Sequence, residues 1–294
     1  ASYSECGCGV IGMSCRFPGG GEETDTFWKF LMGKGDAICD VPGRWQPAAY
    51  ADADFDAPGK AYIQRGGFIA GIEGFDAQFF GISHSEASIM DPAQRLVLET
   101  SYSALLASGF NKASLLGSPV GVYVGANGGE FALTQGQRST AADAGAHSAT
   151  AGHSAILANR VSYVLGLQGP SMLLDTACSS SIVALDVACQ SLQAGSSSLA
   201  VVVGVNVLMS PVTFITCCKA RMLSPDGQCK VFDDGANGYV RAEGCGAVVL
   251  QALAARNSAD GVLAAVKGSA LVQDGRSANL TSPNGPSQEK VIAA

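Results

Sequence analysis

The sequence predicts an α/β fold in which helices cover both faces of one sheet. Short apolar, β-branched runs alternate along the chain with segments of helical period. Charged residues make up only 15% of the chain, where about 25% is usual, so the elements must bury most of their surfaces. Glycine accounts for 37 of the 294 residues, nearly twice the usual share, which suits an interior crossed by many tight turns. The length amounts to roughly two ordinary domains and can bury a sizeable core without disulfides or a structural metal.

In chain order, the predicted strands are Val10–Met13, Val120–Val124, Ser171–Leu174, Leu199–Val205, Ala247–Leu250 and Leu263–Val266. The predicted helices are Thr26–Met32, Pro92–Ser108, Ser154–Leu165 and Ser179–Gln193. Asp91-Pro92 opens the second helix as an N-cap followed by proline at the first helical position. Gly35–Gly74, with Pro42, Pro47, Pro58 and several Asp, reads as a long excursion over the surface. Between Ser139 and Cys217 only Asp143, Arg160, Asp175 and Asp186 carry charge, so this stretch is predicted to be interior. Its centre is the helix after Cys178, where Ile182, Val183, Ala184, Leu185, Val187, Ala188 and Leu192 leave almost no polar side. Ser282–Ser287 reads as a turn and a helix start, and Ala294 falls about two turns later, so the sequence is expected to be cut there.

Several function classes drop out. The net charge is −7 with no Lys/Arg run, which argues against nucleic acid and anionic lipid as partners. The longest apolar stretch, Leu199–Val205, is far short of the roughly 20 residues of a membrane span. Residues Ala1–Cys6 lack the basic start and apolar core of a signal peptide. The chain is therefore expected to be intracellular, in the cytoplasm or an organelle lumen, and not secreted. Ten cysteines without a C-x-x-C spacing fit small buried apolar residues in a reducing compartment. Cys6/Cys8 and Cys217/Cys218 are too crowded for a zinc knuckle, and His84, His147 and His153 each stand alone, so no metal is expected. Gly7–Gly12 matches G-x-G-x-x-G, but it overlaps a strand and runs into Arg16-Phe17-Pro18-Gly19 instead of a helix, so no dinucleotide site is expected.

The sharpest local signal is Asp175-Thr176-Ala177-Cys178-Ser179-Ser180-Ser181. An apolar strand runs through a tight turn of small residues straight into the central helix. Such an elbow exposes one side chain at a helix N-terminus, where backbone N–H groups and the macrodipole favour an anion, here a Cys178 thiolate. Asp175 opposes part of that effect. The competing reading is a structural cysteine at the start of a core helix. A phosphatase loop would need Arg six residues after the cysteine, where Ala184 stands, and a papain-like protease would place its histidine downstream, whereas all three lie upstream.

Taken in order, Val10–Gly19 (VIGMSCRFPG), Gly66-Gly67-Phe68, Phe75–Ser83 (FDAQFFGIS), Met90–Leu96 (MDPAQRL), Ala158–Tyr163 (ANRVSY), the elbow, Phe232–Arg241 (FDDGANGYVR) and Pro283–Gln288 (PNGPSQ) make the chain resemble the β-ketoacyl synthases. The nearest kind is the ketosynthase domain of modular type I polyketide synthases. The resemblance implies a thiolase-like layered αβαβα fold, of which residues 1–255 are the N-terminal, nucleophile-bearing half and 256–294 the truncated beginning of the C-terminal half. It implies decarboxylative Claisen condensation of an acyl thioester with a malonyl-type extender, in polyketide or fatty acid assembly. Cys178 matches the acyl-accepting nucleophile, and Asp175, Thr176, Ala177 and Ser179 form its elbow. An acyl carrier protein and a second copy of the chain are the implied partners. No cofactor is expected on this chain, the substrates being carried on phosphopantetheine. The family's two histidines lie in E-A-H-G-T-G-T and N-x-G-H motifs absent from this sequence, so full condensation is not expected of this piece alone. Phe214 and Met222 are candidates for the border of an acyl channel, with core packing as the rival role. His84 stands where Pro is common in the family, and Val272 where Asn usually precedes Gln273-Asp274-Gly275. Two other readings are a non-condensing scaffold or partner subunit, and a thiolase-type thiol acyltransferase.

Overall fold

A computed structural model of the chain describes residues 7–127, 130, 131, 133, 134, 145–255 and 261–294. The signal-peptide reading of residues 1–6, with Cys6, falls outside the described residues. So do Ser139 and Asp143 of the low-charge stretch, and residues 256–260 at the expected boundary between halves.

The elements follow as β1 (Cys8–Arg16), α1 (Thr24–Met32), β2 (Ile38–Asp40), β3 (Arg65–Gly67), α2 (Ala77–Phe80), α3 (His84–Ile89), α4 (Pro92–Ala107), α5 (Lys112–Leu115) and β4 (Val120–Ala126). After them come α6 (Ser148–Ala151), α7 (Ile156–Leu165), β5 (Ser171–Leu174), α8 (Ser180–Gln193), β6 (Leu199–Asn206), α9 (Pro211–Lys219), β7 (Gly244–Ala252), β8 (Ala264–Val266) and α10 (Gly285–Ala293). Six strands form one sheet in the order β5-β4-β6-β7-β1-β8. The β5, β4 and β6 strands are parallel, and β7, β1 and β8 continue the sheet antiparallel. β2 and β3 pair separately.

The twofold period of a strand sorts the sheet's side chains into two layers. Val122 and Val124 of β4, Val201 and Val203 of β6, and Ala247 and Val249 of β7 point to one face, where Leu98 and Leu105 of α4 and Leu157 and Val161 of α7 cover them. Tyr123, Ala200, Val202 and Leu250 point to the other, against Ala184, Ala188, Cys189 and Leu192 of α8. Strands buried on both sides read as continuous apolar runs, as Leu199–Val205 does. The N-cap expected at Asp91 is made: its Oδ1 accepts the Ala93 N–H at 2.7 Å, with Pro92 at the first helical position.

Three expectations need correction. The helix after Cys178 is not buried all round: α8 buries Ala184, Ala188 and Leu192, while Ile182 is 59% exposed. Its apolar composition exceeds what the sheet covers, because only one stripe of a helix can touch a sheet. The low-charge stretch is likewise not all interior, since Tyr163 of α7 is 87% exposed. The Gly35–Gly74 excursion is more than surface, because Val41, Ala61, Ile63 and Phe68 build a third apolar cluster with Leu208, Phe214 and Cys218 around α9.

Candidate active site

β5 ends at Leu174, and the chain reaches α8 through a single 3₁₀ turn, Ala177–Ser179, with Cys178 at its middle. Short polar side chains knit this turn. Asp175 Oδ1 accepts the Ala177 N–H at 3.0 Å, and the Thr176 N–H donates to Ser180 Oγ at 2.9 Å. Ser180 Oγ donates in turn to the Ala177 carbonyl at 2.7 Å, and Ser179 Oγ to the Thr176 carbonyl at 2.9 Å. Ala177 is held at φ +57°, the left-handed region that costs a side-chain-bearing residue about 1–2 kcal/mol. This backbone turns the Cys178 side chain outward, and Cys178 is exposed.

Two glycines set the height of the elbow above the sheet. A Cβ on Gly125 of β4 would stand 2.4 Å from the Ser180 carbonyl carbon, and one on Gly204 of β6 would stand 2.9 Å from Ser181 Cβ. The start of α8 therefore rests directly on the backbone of the two parallel strands.

An open cavity of about 1320 Å³ lies against the elbow. Thr176, Cys178 and Ile182 form one wall, and Gln273, Arg276 and Leu280 stand in the segment opposite. That segment is fixed to the start of α10: the Asn284 N–H donates to Asp274 Oδ2 at 3.1 Å, and Asn284 Nδ2 donates to the Asp274 carbonyl at 2.8 Å. The volume exceeds that of ordinary small-molecule pockets, about 300–1,000 Å³, and suits a long, flexible arm as well as a compact group.

Among the described residues nine cysteines are free, and they divide by environment. Burial pushes the thiols of Cys15 and Cys218 up and that of Cys245 up to about 12, which keeps them protonated and inert. Cys178 combines exposure with a place on the cavity wall. Phe214 does not line this cavity. It is fully enclosed in the third apolar cluster, with the Trp45 ring 5.5 Å away and the Arg241 guanidinium 5.4 Å from its own ring. Met222 is 43% exposed, off the large cavity, and its carbonyl accepts the Tyr239 N–H at 3.0 Å.

The histidines stay apart from the cavity lining. His84 opens α3, His147 precedes α6, and His153 Nδ1 accepts the Ala155 N–H at 3.3 Å. Among the described residues no cluster of His, Cys, Asp or Glu could hold a metal ion, and no helix is long and apolar enough to cross a membrane.

Sequence reasoning missed the carboxylates that tie the loops at this edge of the sheet. Glu243, its side chain fully enclosed, accepts from the Ile69 N–H at 2.7 Å, the Leu208 N–H at 3.1 Å and Arg44 Nη2 at 3.1 Å. Glu130 accepts from the Met209 N–H and from Arg241 Nη2, each at 2.8 Å. The available signal was Arg241 and Glu243 standing immediately before an apolar strand, where the cost of burying charge demands partners.

Residues 8–256 match the sequence model of the family described as beta-ketoacyl synthase, N-terminal domain. The chain belongs to the β-ketoacyl synthase family. It is 44% identical over 289 residues to polyketide synthase GfsA of Streptomyces halstedii, an alignment that spans 96% of this chain and 4% of that protein. It is 44% identical to the pikromycin polyketide synthase component PikAII of Streptomyces venezuelae, over 96% of this chain and 8% of that one. Among solved structures, the oxazolomycin ketosynthase domain OzmH KS7 of Streptomyces albus JA3453 superposes with a TM-score of 0.89 at 36% identity, covering 97% of this chain and 49% of that domain. The ketosynthase from module 6 of the Bacillus subtilis 168 bacillaene synthase gives 0.84 at 35%, covering 97% and 47%. The layered sheet and helices are thus those of the ketosynthase, thiolase-like fold. The chain spans under half the length of these solved ketosynthases and a small part of the curated relatives.

Proposed function

We propose that the protein is a β-ketoacyl synthase that joins an acyl group to a malonyl-type extender, with Cys178 as the acyl acceptor, in polyketide or fatty acid assembly. The observation that carries this is the exposed Cys178 sulfur on the wall of a large cavity, at a strained, hydrogen-bonded elbow. The Cys178 thiolate attacks the thioester carbonyl, the carbon–sulfur bond to the carrier breaks, and the departing pantetheine thiolate takes a proton. The Cys178 backbone N–H supplies one donor to the oxyanion formed on the way. Loss of CO2 from the extender then generates a carbanion, which attacks the acyl carbonyl and releases Cys178 as thiolate. His84, His147 and His153 lie off the cavity, and none of them is assigned a part in the second stage.

The substrates of this reading are acyl and malonyl thioesters carried on the phosphopantetheine of an acyl carrier protein, which places the reaction inside the cell. A homodimer is the accompanying assembly. It is supported by β5, an edge strand that exposes Met172, and by the exposed Tyr163 in the preceding helix.

Incubating the full natural polypeptide with an acyl thioester and mapping the modified peptide by mass tests the reading. An acyl adduct on Cys178 that disappears in Cys178→Ala is the expected result. No adduct, or one confined to another cysteine, refutes it and leaves a scaffold.

A further inference from the structure

Residues 267–284 join β8 to α10 without a regular element of their own, and between Ala270 and Pro283 they supply the cavity wall opposite Cys178. That wall has little to hold it. None of residues 267–294 belongs to the three apolar clusters, and bonds such as those from Asn284 and Ser287 to Asp274 stay within the segment and α10. Among the described residues a single hydrogen bond ties residues 267–294 to the earlier strands and helices: Ser269 Oγ donates to Asp186 Oδ1 at 2.6 Å.

Asp186 lies on α8 one turn beyond Ile182 and Val183, which line the cavity, so it stands on the same side of the helix. It is only 5% exposed, and among the described residues it forms no ion pair. Burying a carboxylate is costly unless its oxygens are bonded. Each oxygen here has one neutral donor: Ser269 Oγ on Oδ1, and Gln190 Nε2 on Oδ2, also at 2.6 Å. Losing Ser269 would leave a buried oxygen unsatisfied, which makes this bond worth more than an ordinary surface hydrogen bond. The cavity lining resumes at the next residue, Ala270, so the bond marks the corner where α8 and the far wall meet.

We infer that Asp186 is a positioning residue, which through Ser269 fixes the far wall of the cavity where a pantetheine-borne acyl thioester touches both walls on its way to Cys178. Gln190 steadies the carboxylate from the following turn. A wall held at this corner presents its contacts already ordered, so an entering arm is spared that cost. Released, the same wall is ordered only as the arm binds, and affinity falls while the chemistry at the sulfur does not. The inference rests on Cys178 being the acyl acceptor.

The test treats the full natural polypeptide with two reagents of different reach, octanoyl-pantetheine and iodoacetamide, and times the adduct on Cys178 by mass. Ser269→Ala is expected to raise the half-saturating concentration of octanoyl-pantetheine about tenfold, with the maximal loading rate within about twofold of wild type. Iodoacetamide is too small to need the far wall, and its rate at Cys178 should stay as in wild type. Ser269→Thr, which keeps the hydroxyl, should restore the wild-type half-saturation. Asp186→Asn keeps an acceptor without the charge and should give a smaller rise, about threefold, and joining it to Ser269→Ala should add little to Ser269→Ala alone. Unchanged half-saturation in Ser269→Ala overturns this inference alone. So does an alkylation rate that falls in step with loading, since a purely structural pair would disturb the elbow itself. Absence of any octanoyl adduct on wild-type Cys178 overturns it together with the acyl-acceptor reading.

Discussion

The two faces of the sheet are packed to different ends. Under α4 and α7 the layer is closed: Val97, Leu98, Val122, Val161 and Val201 expose nothing. On the other face α8 meets the sheet through small residues, Ala184 and Ala188, and leaves Ile182 facing a cavity. Close packing of large side chains gives the first face its resistance to unfolding. Small contacts let the second bring a helix start, and the sulfur just before it, close to the strands. One face holds the fold and the other presents a side chain.

That contrast can be broken by substitution. Leu98→Ala, on the closed face, should cost about 2–5 kcal/mol in denaturant unfolding, because the cavity it leaves cannot collapse. A cost below about 1 kcal/mol would show that face to be looser than its burial implies. Gly125→Ala comes next. Its Cβ would meet the backbone of Ser180 and Ser181, so α8 must lift, at a cost of about 1–3 kcal/mol and with slower acylation of Cys178. Unchanged stability and loading would show that α8 does not bear on the strands.

Asp91, the N-cap of α4, sharpens the comparison through pH. Burial pushes its carboxyl up to about 6, against the hydrogen bond from Ala93 and the charge of Arg95. The native state therefore holds a proton that the unfolded chain, titrating near 4, has lost. The contribution is present below pH 4 or so and disappears as pH rises through about 6. Asp91→Asn keeps a capping side chain without the charge, and should flatten the stability profile across that window by on the order of 1 kcal/mol. An unaltered slope would assign the pH dependence to other groups. Ile182→Ser, on the open face, is the smallest effect, within about 0.5 kcal/mol by the same denaturant titration. A larger loss would mean that something covers α8 in solution.

Legibility followed periodicity and length. β5 is observed with its predicted bounds, Ser171–Leu174, because so short an apolar run between turn residues has the length of a strand and not of a helix. β1 extends beyond Val10–Met13 to Cys8–Arg16, through glycines that dilute the pattern, and its pairing with β7 shifts register between Val10 and Gly12. The three-residue strands β2 and β3 are too short to show a period. α9 went unpredicted although Ser210-Pro211 repeats the cap-and-proline signature of Asp91-Pro92, and Ser210 Oγ accepts the Val212 N–H at 3.2 Å. The elbow could be read because its small residues interrupt a strand and start a helix. Its support could not, since the glycines beneath it act through side chains they lack. Asp186 and Ser269 come together only when β8 pairs with β1 and brings the segment after it to α8, a relation no local pattern encodes.

Because α8 stands on bare backbone at Gly125 and Gly204, no compressible cushion separates the helix from the strands. A change in the sheet's twist would carry the sulfur with it almost rigidly. Divergence in what this protein accepts therefore has to be sought among rim residues, where replacements leave the platform level.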